Sequence, residues 1–190
     1  MKVGIAFSFR VADTPYNCIK TLVGRGFDNG QLCVWDMDDY NDSVVEELKR
    51  ACKDFNFTIT AVWCGWSGYK EWSYPEMYNT LGLVPADTRR QRTNDLLKGA
   101  EFAYKLGVTD VITHIGYLPD NPYHPDNIGV VKALKEICGV LKERNQYFLF
   151  ETGEELPLSL AHLICNVGTG NLGINFDPAN LILNGRCFYP

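Results

Sequence analysis

Hydrophobic positions along the chain switch repeatedly between a two-residue and a helical period. Lys2–Phe9 is apolar and β-branched and predicts a first strand. Asp13-Thr14-Pro15 then supplies a cap and a first-turn proline, and Cys18, Ile19, Leu22 and Val23 form a helical stripe. Gly24, Gly26 and Gly30 interrupt the chain before Gln31–Asp36, the second predicted strand. Ser43-Val44-Val45-Glu46 reads as a capping box that opens a helix with Val44, Val45, Leu48 and Cys52 on one face. Phe57–Cys64 is the third strand, Val108–Ile115 the fourth, Gln146–Thr152 the fifth and Leu172–Asp177 the sixth. Between them, Thr88-Arg89-Arg90-Gln91 reads as a second capping box for a helix that ends at Gly107 as its C′ glycine. Asn127 to Arg144 is a further helix, and Pro157 opens a short one carrying Leu160, Leu163 and Ile164. The tail Leu181–Pro190 follows the sixth strand.

Strict strand–helix alternation without a linker implies a parallel sheet with crossover helices. An open doubly wound sheet and a (β/α) barrel both satisfy that pattern. Neither G-x-G-x-x-G nor a P-loop follows the first strand, where the chain reads Ser8-Phe9-Arg10-Val11-Ala12. Polar and aromatic residues instead sit just past the strand ends: Arg10, Asp36, Trp63, Trp66, His114, Glu151 and Asp177. Barrels carry their sites on that face. The fold class expected is therefore α/β, a TIM barrel with about six of its eight βα units in residues 1–190, read as one domain. The last two units are expected outside this chain. The long Trp-, Tyr-, Gly- and Pro-rich segment from Gly65 to Ala86 is expected to serve function.

Bulk properties narrow the partners. Hydrophobic residues make up 46% and charged residues 22%, which is ordinary globular composition. No apolar run has the length of a membrane span, and no signal-like segment opens the chain, so a cytoplasmic protein with no membrane partner is expected. The 7 cysteines include no C-x-x-C pair and read as buried thiols in a reducing compartment. With a net charge of −5 and no basic stripe, nucleic acid is not an expected partner. The Arg89-Arg90-Gln91-Arg92 patch reads as salt-bridging or as a grip on a small anion.

The strongest chemical pattern is Phe150-Glu151-Thr152-Gly153 after strand five with Asn175-Phe176-Asp177-Pro178-Ala179-Asn180 after strand six. On adjacent barrel strands the two carboxylates converge, and a divalent cation would relieve their repulsion and poor solvation. The competing reading is that each caps the next helix or pairs with Arg or Lys. His114, ending strand four, points to the same mouth and suits a substrate hydroxyl or the orienting of a carboxylate, or is simply a buried imidazole bonded to neighbouring backbone. Trp63 and Trp66 suit the C–H faces of a sugar, or simply anchor the loop. Asp36, Asp38 and Asp39 read as a solvated turn.

Taken together, Lys2-Val3-Gly4-Ile5, Thr60-Ala61-Val62-Trp63, His114-Ile115-Gly116, Phe150-Glu151-Thr152-Gly153 and Asn175-Phe176-Asp177-Pro178-Ala179-Asn180-Leu181 resemble the xylose isomerase-like barrel family. That family includes ketose 3-epimerases, inosose dehydratases and endonuclease-IV-type enzymes. The resemblance implies a divalent metal (Mn²⁺, Mg²⁺, Co²⁺ or Zn²⁺) held by Glu, Asp, His and Glu at the ends of the last four strands. Glu151 and Asp177 match the first two, with Glu151 also an acid/base that moves a carbon-bound proton through an enediolate. Many epimerases carry a His where this chain has Asn180, which leaves the substrate open while keeping Asn180 among the implied substrate-binding residues. The implied partner is a small sugar or sugar phosphate, and a homo-oligomer is allowed. An endonuclease-IV-like phosphodiesterase and a non-catalytic barrel are the alternatives. Few histidines, 3 in all, and the negative charge weigh against the nuclease.

Overall fold

The computed structural model describes residues 2–11 and 14–184, apart from the side chain of residue 11. Asp13, Cys187 and the tail from residue 185 on lie outside the described residues. The chain runs β1 (Ile5–Phe7), α1 (Pro15–Gly24), β2 (Asn29–Val34), α2 (Asp42–Phe55), β3 (Thr58–Cys64), α3 (Met77–Thr80), α4 (Ala86–Leu106), β4 (Asp110–Thr113), α5 (Pro125–Glu143), β5 (Tyr147–Glu151), α6 (Pro157–Val167), β6 (Leu172–Asn175) and α7 (Pro178–Leu183). Short 3₁₀ turns at Phe9–Val11 and Met37–Asp39 follow β1 and β2.

The six strands form one parallel sheet in the order β1-β2-β3-β4-β5-β6. A doubly wound sheet would reverse its order midway, and this one does not. Its curvature is visible in one bond. Gln31 on β2 donates from Nε2 to Asn175 Oδ1 on β6 at 2.9 Å, although three strands lie between them. Only a sheet bent into a barrel wall brings those side chains together across its concave face. Among the described residues the wall is not closed, because β1 and β6 do not pair.

Period-two alternation sorts β3 between two cores. Val62 and Cys64 join the large apolar cluster under the helices, while Ala61 and Trp63 pack with Ile112, Cys33 and Leu149 inside the barrel. Ala61–Cys64 is buried on both faces and apolar at every position, the continuous run that marks a buried strand.

Several local expectations need correction. The first strand is shorter than Lys2–Phe9, because the 3₁₀ turn after it lets Arg10 reach Asp36 and Asp39 at 2.8 and 2.6 Å. Helix α2 is capped by Asn41, whose side chain accepts from the Val44 amide, so Ser43 is already helical. Helix α4 starts at Ala86 after Pro85 without a side-chain cap, so Thr88 is not the cap residue. Other signals hold. Thr14 caps α1 through Asn17, and Gly107 closes α4 at φ 78°, a left-handed conformation that costs glycine little.

Candidate functional site

The C-terminal ends of the strands surround a cavity of about 510 Å³. Glu151 from the end of β5, Asp177 after β6, His114 after β4 and Trp63 from β3 all line it. Trp35, just past β2, forms a further part of the wall. These residues belong to five successive parallel elements, so the shared strand direction delivers all of them to one end of the barrel.

Glu151 is buried, and its Oε2 accepts from Asn175 Nδ2 at 2.5 Å. Asn175 in turn accepts from Gln31, so a chain of three side chains holds the carboxylate from across the barrel. Burial is the main influence on its pKa and raises it above the ordinary carboxylate value. The Asn175 bond and the nearby His114 work against that rise, while the charges of Asp177 and Glu154 add to it. The two predicted carboxylates therefore share a cavity and feel each other.

Asp177 also fulfils its competing reading. Its Oδ1 accepts from the amides of Ala179 and Asn180 at 2.8 and 3.1 Å, capping α7. Thr152 ties the two loops together, since its Oγ1 accepts from the Asp177 amide at 2.8 Å. Among the described residues no three His, Cys, Asp or Glu side chains converge closely enough to hold a metal ion. What this chain offers a cation is a pair of oxygen ligands: a buried carboxylate disfavoured in its charged form, beside a second carboxylate. Carboxylate oxygens are the ligand type that hard divalent cations take.

Two predicted substrate contacts need revision. Trp66 has 0% exposure. Its indole N–H donates to Thr113 Oγ1 at 3.2 Å, and the Arg92 guanidinium stacks on it at 4.4 Å. It does not line the cavity; it backs Trp72, whose ring stacks on it at 19°, and Trp35, which meets it edge-on. Accessible indole surface is provided by Trp35, 38% exposed, and by Trp72. Asn180 sits on α7 with its Cβ against Gly153, and it too lies outside the cavity lining.

The basic patch proves structural. Arg89 pairs with Asp126 at 2.8 Å and Arg90 with Glu136. Arg92, at 0% exposure, donates to the carbonyls of Ser67, Tyr69, Thr80 and Gly82, thereby stapling the 65–85 segment. That segment then lies on the β4 end, where Gly82 at φ 65° lets its backbone touch Ile115 and Leu83 N donates to Ile115 O at 2.8 Å.

Glu154 was not foreseen. It is buried in the β5–α6 loop, with both carboxylate oxygens at 2.7 and 2.8 Å from His114 Nδ1. Gln31, Asn175 and Cys33 were missed too, although each is a polar or thiol residue on a strand face that the period assigns to the barrel interior. Burial, with the Glu151 charge, pushes the Cys33 thiol up to about 11, so it is no nucleophile at neutral pH.

Residues 12–186 match the model of the family described as Xylose isomerase-like TIM barrel. No curated protein matches the chain significantly. Among solved structures, a xylose isomerase domain protein from Planctomyces limnophilus is 25% identical, with a TM-score of 0.87 over 97% of this chain and 66% of its own. A D-tagatose 3-epimerase-like protein is 17% identical, TM-score 0.67, over 90% of this chain and 64% of its own. A xylose isomerase-like TIM barrel protein from Mycobacterium smegmatis in complex with magnesium is 14% identical, TM-score 0.68, over 95% and 65%. The chain thus spans about two thirds of the length of these relatives. Its strand order, the placement of its strand-end carboxylates and a family match over nearly its whole length agree: the chain belongs to the xylose isomerase-like TIM barrel family.

Proposed function

We propose that these six βα units carry the proton-transferring half of a metal-assisted sugar isomerase or epimerase site, with Glu151 as the acid/base. One observation carries the reading most: Glu151 is a buried strand-end carboxylate whose pKa is raised by burial, opening onto a cavity it shares with Asp177, His114 and Trp63. A carboxylate destabilised in this way is a stronger base than one in water. The sugar epimerases among the structural relatives support the superfamily-level assignment.

In this proposal Glu151 takes the proton from a carbon next to a carbonyl. The C–H electron pair moves toward the carbonyl oxygen and leaves an enediolate. Glu151 then returns this proton to the same carbon or its neighbour, or a second, protonated group facing the other side gives its own, after which Glu151 loses its proton to water and that group takes one up. Asn175 and Gln31 keep the Glu151 carboxylate aimed while it changes charge. Glu151 and Asp177 would hold a divalent ion (Mn²⁺, Mg²⁺, Co²⁺ or Zn²⁺), which when bound supplies Lewis-acid stabilisation of the oxyanion. The resemblance implies two further ligands, a His and a Glu, from strands that would follow β6. Trp63 and Trp35 would face the C–H surfaces of the sugar. The proposed ligand is a small sugar or sugar phosphate in a cytoplasmic metabolic setting.

The test is carbon-bound hydrogen exchange, followed by NMR in D₂O, on a panel of ketoses and cyclic polyols in the complete barrel. Exchange with Mn²⁺ or Mg²⁺ that stops in chelator is the expected result. Sugar binding without exchange under any metal would make this a binding barrel instead.

A further inference from the structure

From a bond between two buried side chains, we infer that Glu154 is a positioning residue: it holds the His114 ring with Nδ1 turned inward and Nε2 turned to the cavity, where Nε2 contacts an oxygen of the sugar. The inference rests on the sugar-processing reading above and adds to it a residue that lies outside the cavity lining.

Glu154 lies in the loop between β5 and α6 and is 2% exposed. Both its oxygens meet His114 at Nδ1, at 2.7 and 2.8 Å. A carboxylate only accepts hydrogen bonds, so Nδ1 carries a hydrogen. The neutral ring satisfies that bond in one tautomer, and the imidazolium satisfies it always. The placement of the ring is therefore independent of its charge. With Nδ1 engaged, Nε2 is the nitrogen left to the cavity that the ring lines, and among the described residues it has no hydrogen-bond partner. His114 is 7% exposed, and a buried polar nitrogen calls for a partner. A sugar hydroxyl both donates and accepts, so it serves Nε2 in either charge form.

Packing alone does not choose between the nitrogens. Trp63 and Trp72 lie against the ring at centroid distances of 5.4 Å each, with interplanar angles of 64° and 69°. They confine the plane of the imidazole, but a half-turn about its last torsion keeps that plane, and this torsion is two-fold. Turned so, the ring presents a carbon to Glu154 and leaves a buried carboxylate without its donor, which is costly. The Glu154 bond thus sets the sense of the ring. Glu154 is itself fixed from behind. Gly153 has φ 151°, and a Cβ there would meet the Asn180 Cβ of α7 at 2.5 Å, so the turn is seated directly on that helix. The same turn begins at Glu151, so one short stretch of chain carries the proposed base and aims the imidazole that faces it.

Two measurements test this on the chain as it stands. The first is the ¹H–¹⁵N spectrum of the His114 ring in the unaltered protein. A hydrogen on Nδ1, slow to exchange with water, is expected at neutral pH, and a ring protonated on Nε2 alone overturns the inference. The second is a double-mutant cycle on the affinity for D-fructose and for myo-inositol, read by tryptophan fluorescence. Glu154→Leu should weaken binding by at least about tenfold. Glu154→Gln, whose amide oxygen accepts from Nδ1, should recover it to within about threefold. In a protein that already carries His114→Phe, adding Glu154→Leu should change affinity by less than about twofold, because Glu154 acts through the ring. Lower unfolding free energy with sugar affinity intact in the Leu variant would make the role of Glu154 structural only. Equal losses of affinity with and without His114 would mean that Glu154 acts on the sugar by itself. Either result contradicts the inference. Should the Leu variant not fold, Glu154→Gln decides: affinity kept with the hydrogen on Nδ1 supports the inference, and affinity lost with the hydrogen still there contradicts it. Failure of both sugars to bind the unaltered protein, with the ring hydrogen on Nδ1, instead sinks the sugar-processing reading.

Discussion

The two flanks of the cavity are built differently. On the β3–β4 flank, the 65–85 segment is fixed from inside: Arg92 binds four of its carbonyls, Asp95 accepts from Ser67, and Trp66 is sandwiched beneath the exposed indoles. On the β6 flank, α7 hangs from the Asp177 cap and the Thr152 bridge, and large apolar side chains face outward. Phe176 is 68% and Leu183 80% exposed, with Ile174 and Ile182 also open. The difference teaches where the site gets its shape. The indole wall rests on a flank ordered by many polar bonds within this chain, whereas Asp177 sits on a flank held by its cap, the Thr152 bridge and the Tyr117–Asn184 hydrogen bond.

That contrast is broken most severely at Arg92. Arg92→Ala leaves four carbonyls, that of Gly82 fully buried, without their donor and removes the stacking partner of Trp66. It should cost about 3–5 kcal/mol in urea unfolding and erase the near-ultraviolet signal of the indole cluster. Loss of stability without any change at the indoles would mean that the segment is held by something other than Arg92.

Asp177 is a milder probe. Asp177→Ala removes the α7 cap and should cost about 1 kcal/mol, whereas Asp177→Asn keeps a capping oxygen and should cost little. Both should abolish any weak binding of Mn²⁺ measured by calorimetry. Unchanged binding in the Asn variant would remove Asp177 from the metal proposal while leaving its cap intact.

Glu151 gives a pH-dependent effect of opposite sign. Its pKa is raised in the fold, so the folded chain holds that proton more tightly than the unfolded chain. The charged carboxylate therefore costs stability above the ordinary carboxylate range, and nothing below it. Glu151→Gln should raise the melting temperature by about 2–4 °C at pH 7 and lose that advantage as pH falls below 4 or so. A destabilised Gln variant at pH 7 would show that the Asn175 bond outweighs desolvation.

The smallest effect is expected at the open flank. Phe176→Ser should change unfolding free energy by less than about 0.5 kcal/mol, since the side chain is already in water. It should nonetheless reduce concentration-dependent association in sizing chromatography. A large loss of stability would mean that Phe176 is covered in solution.

How much of this was legible from sequence follows the same division. The strands, their order and the convergence of Glu151, Asp177, His114 and Trp63 on one mouth could be read, because buried parallel strands are continuous apolar runs and barrel sites sit at their ends. Capping by Asn41 was hidden by the better-looking Ser43 box one turn boundary away. Trp66 looked like a binding residue because sequence marks loop aromatics without telling which face outward. Its burial depends on Arg92, 26 positions along the chain in a different element, and no local pattern encodes that stacking. Glu154 was passed over for the same reason, since its partner His114 is distant in sequence, |i−j| = 40. Gln31 and Asn175 were readable in principle: polar residues on the inward phase of barrel strands have only the lumen to face.

The central claim is that Glu151 moves the carbon-bound proton. It is tested most directly by solvent-deuterium incorporation into sugar with Glu151→Gln and Glu151→Asp variants of the complete, metal-loaded barrel. The Gln variant should lose exchange by at least about a thousandfold while binding sugar, and the shorter Asp carboxylate should recover part of it. Undiminished exchange in the Gln variant would contradict the account, because an amide cannot take the proton.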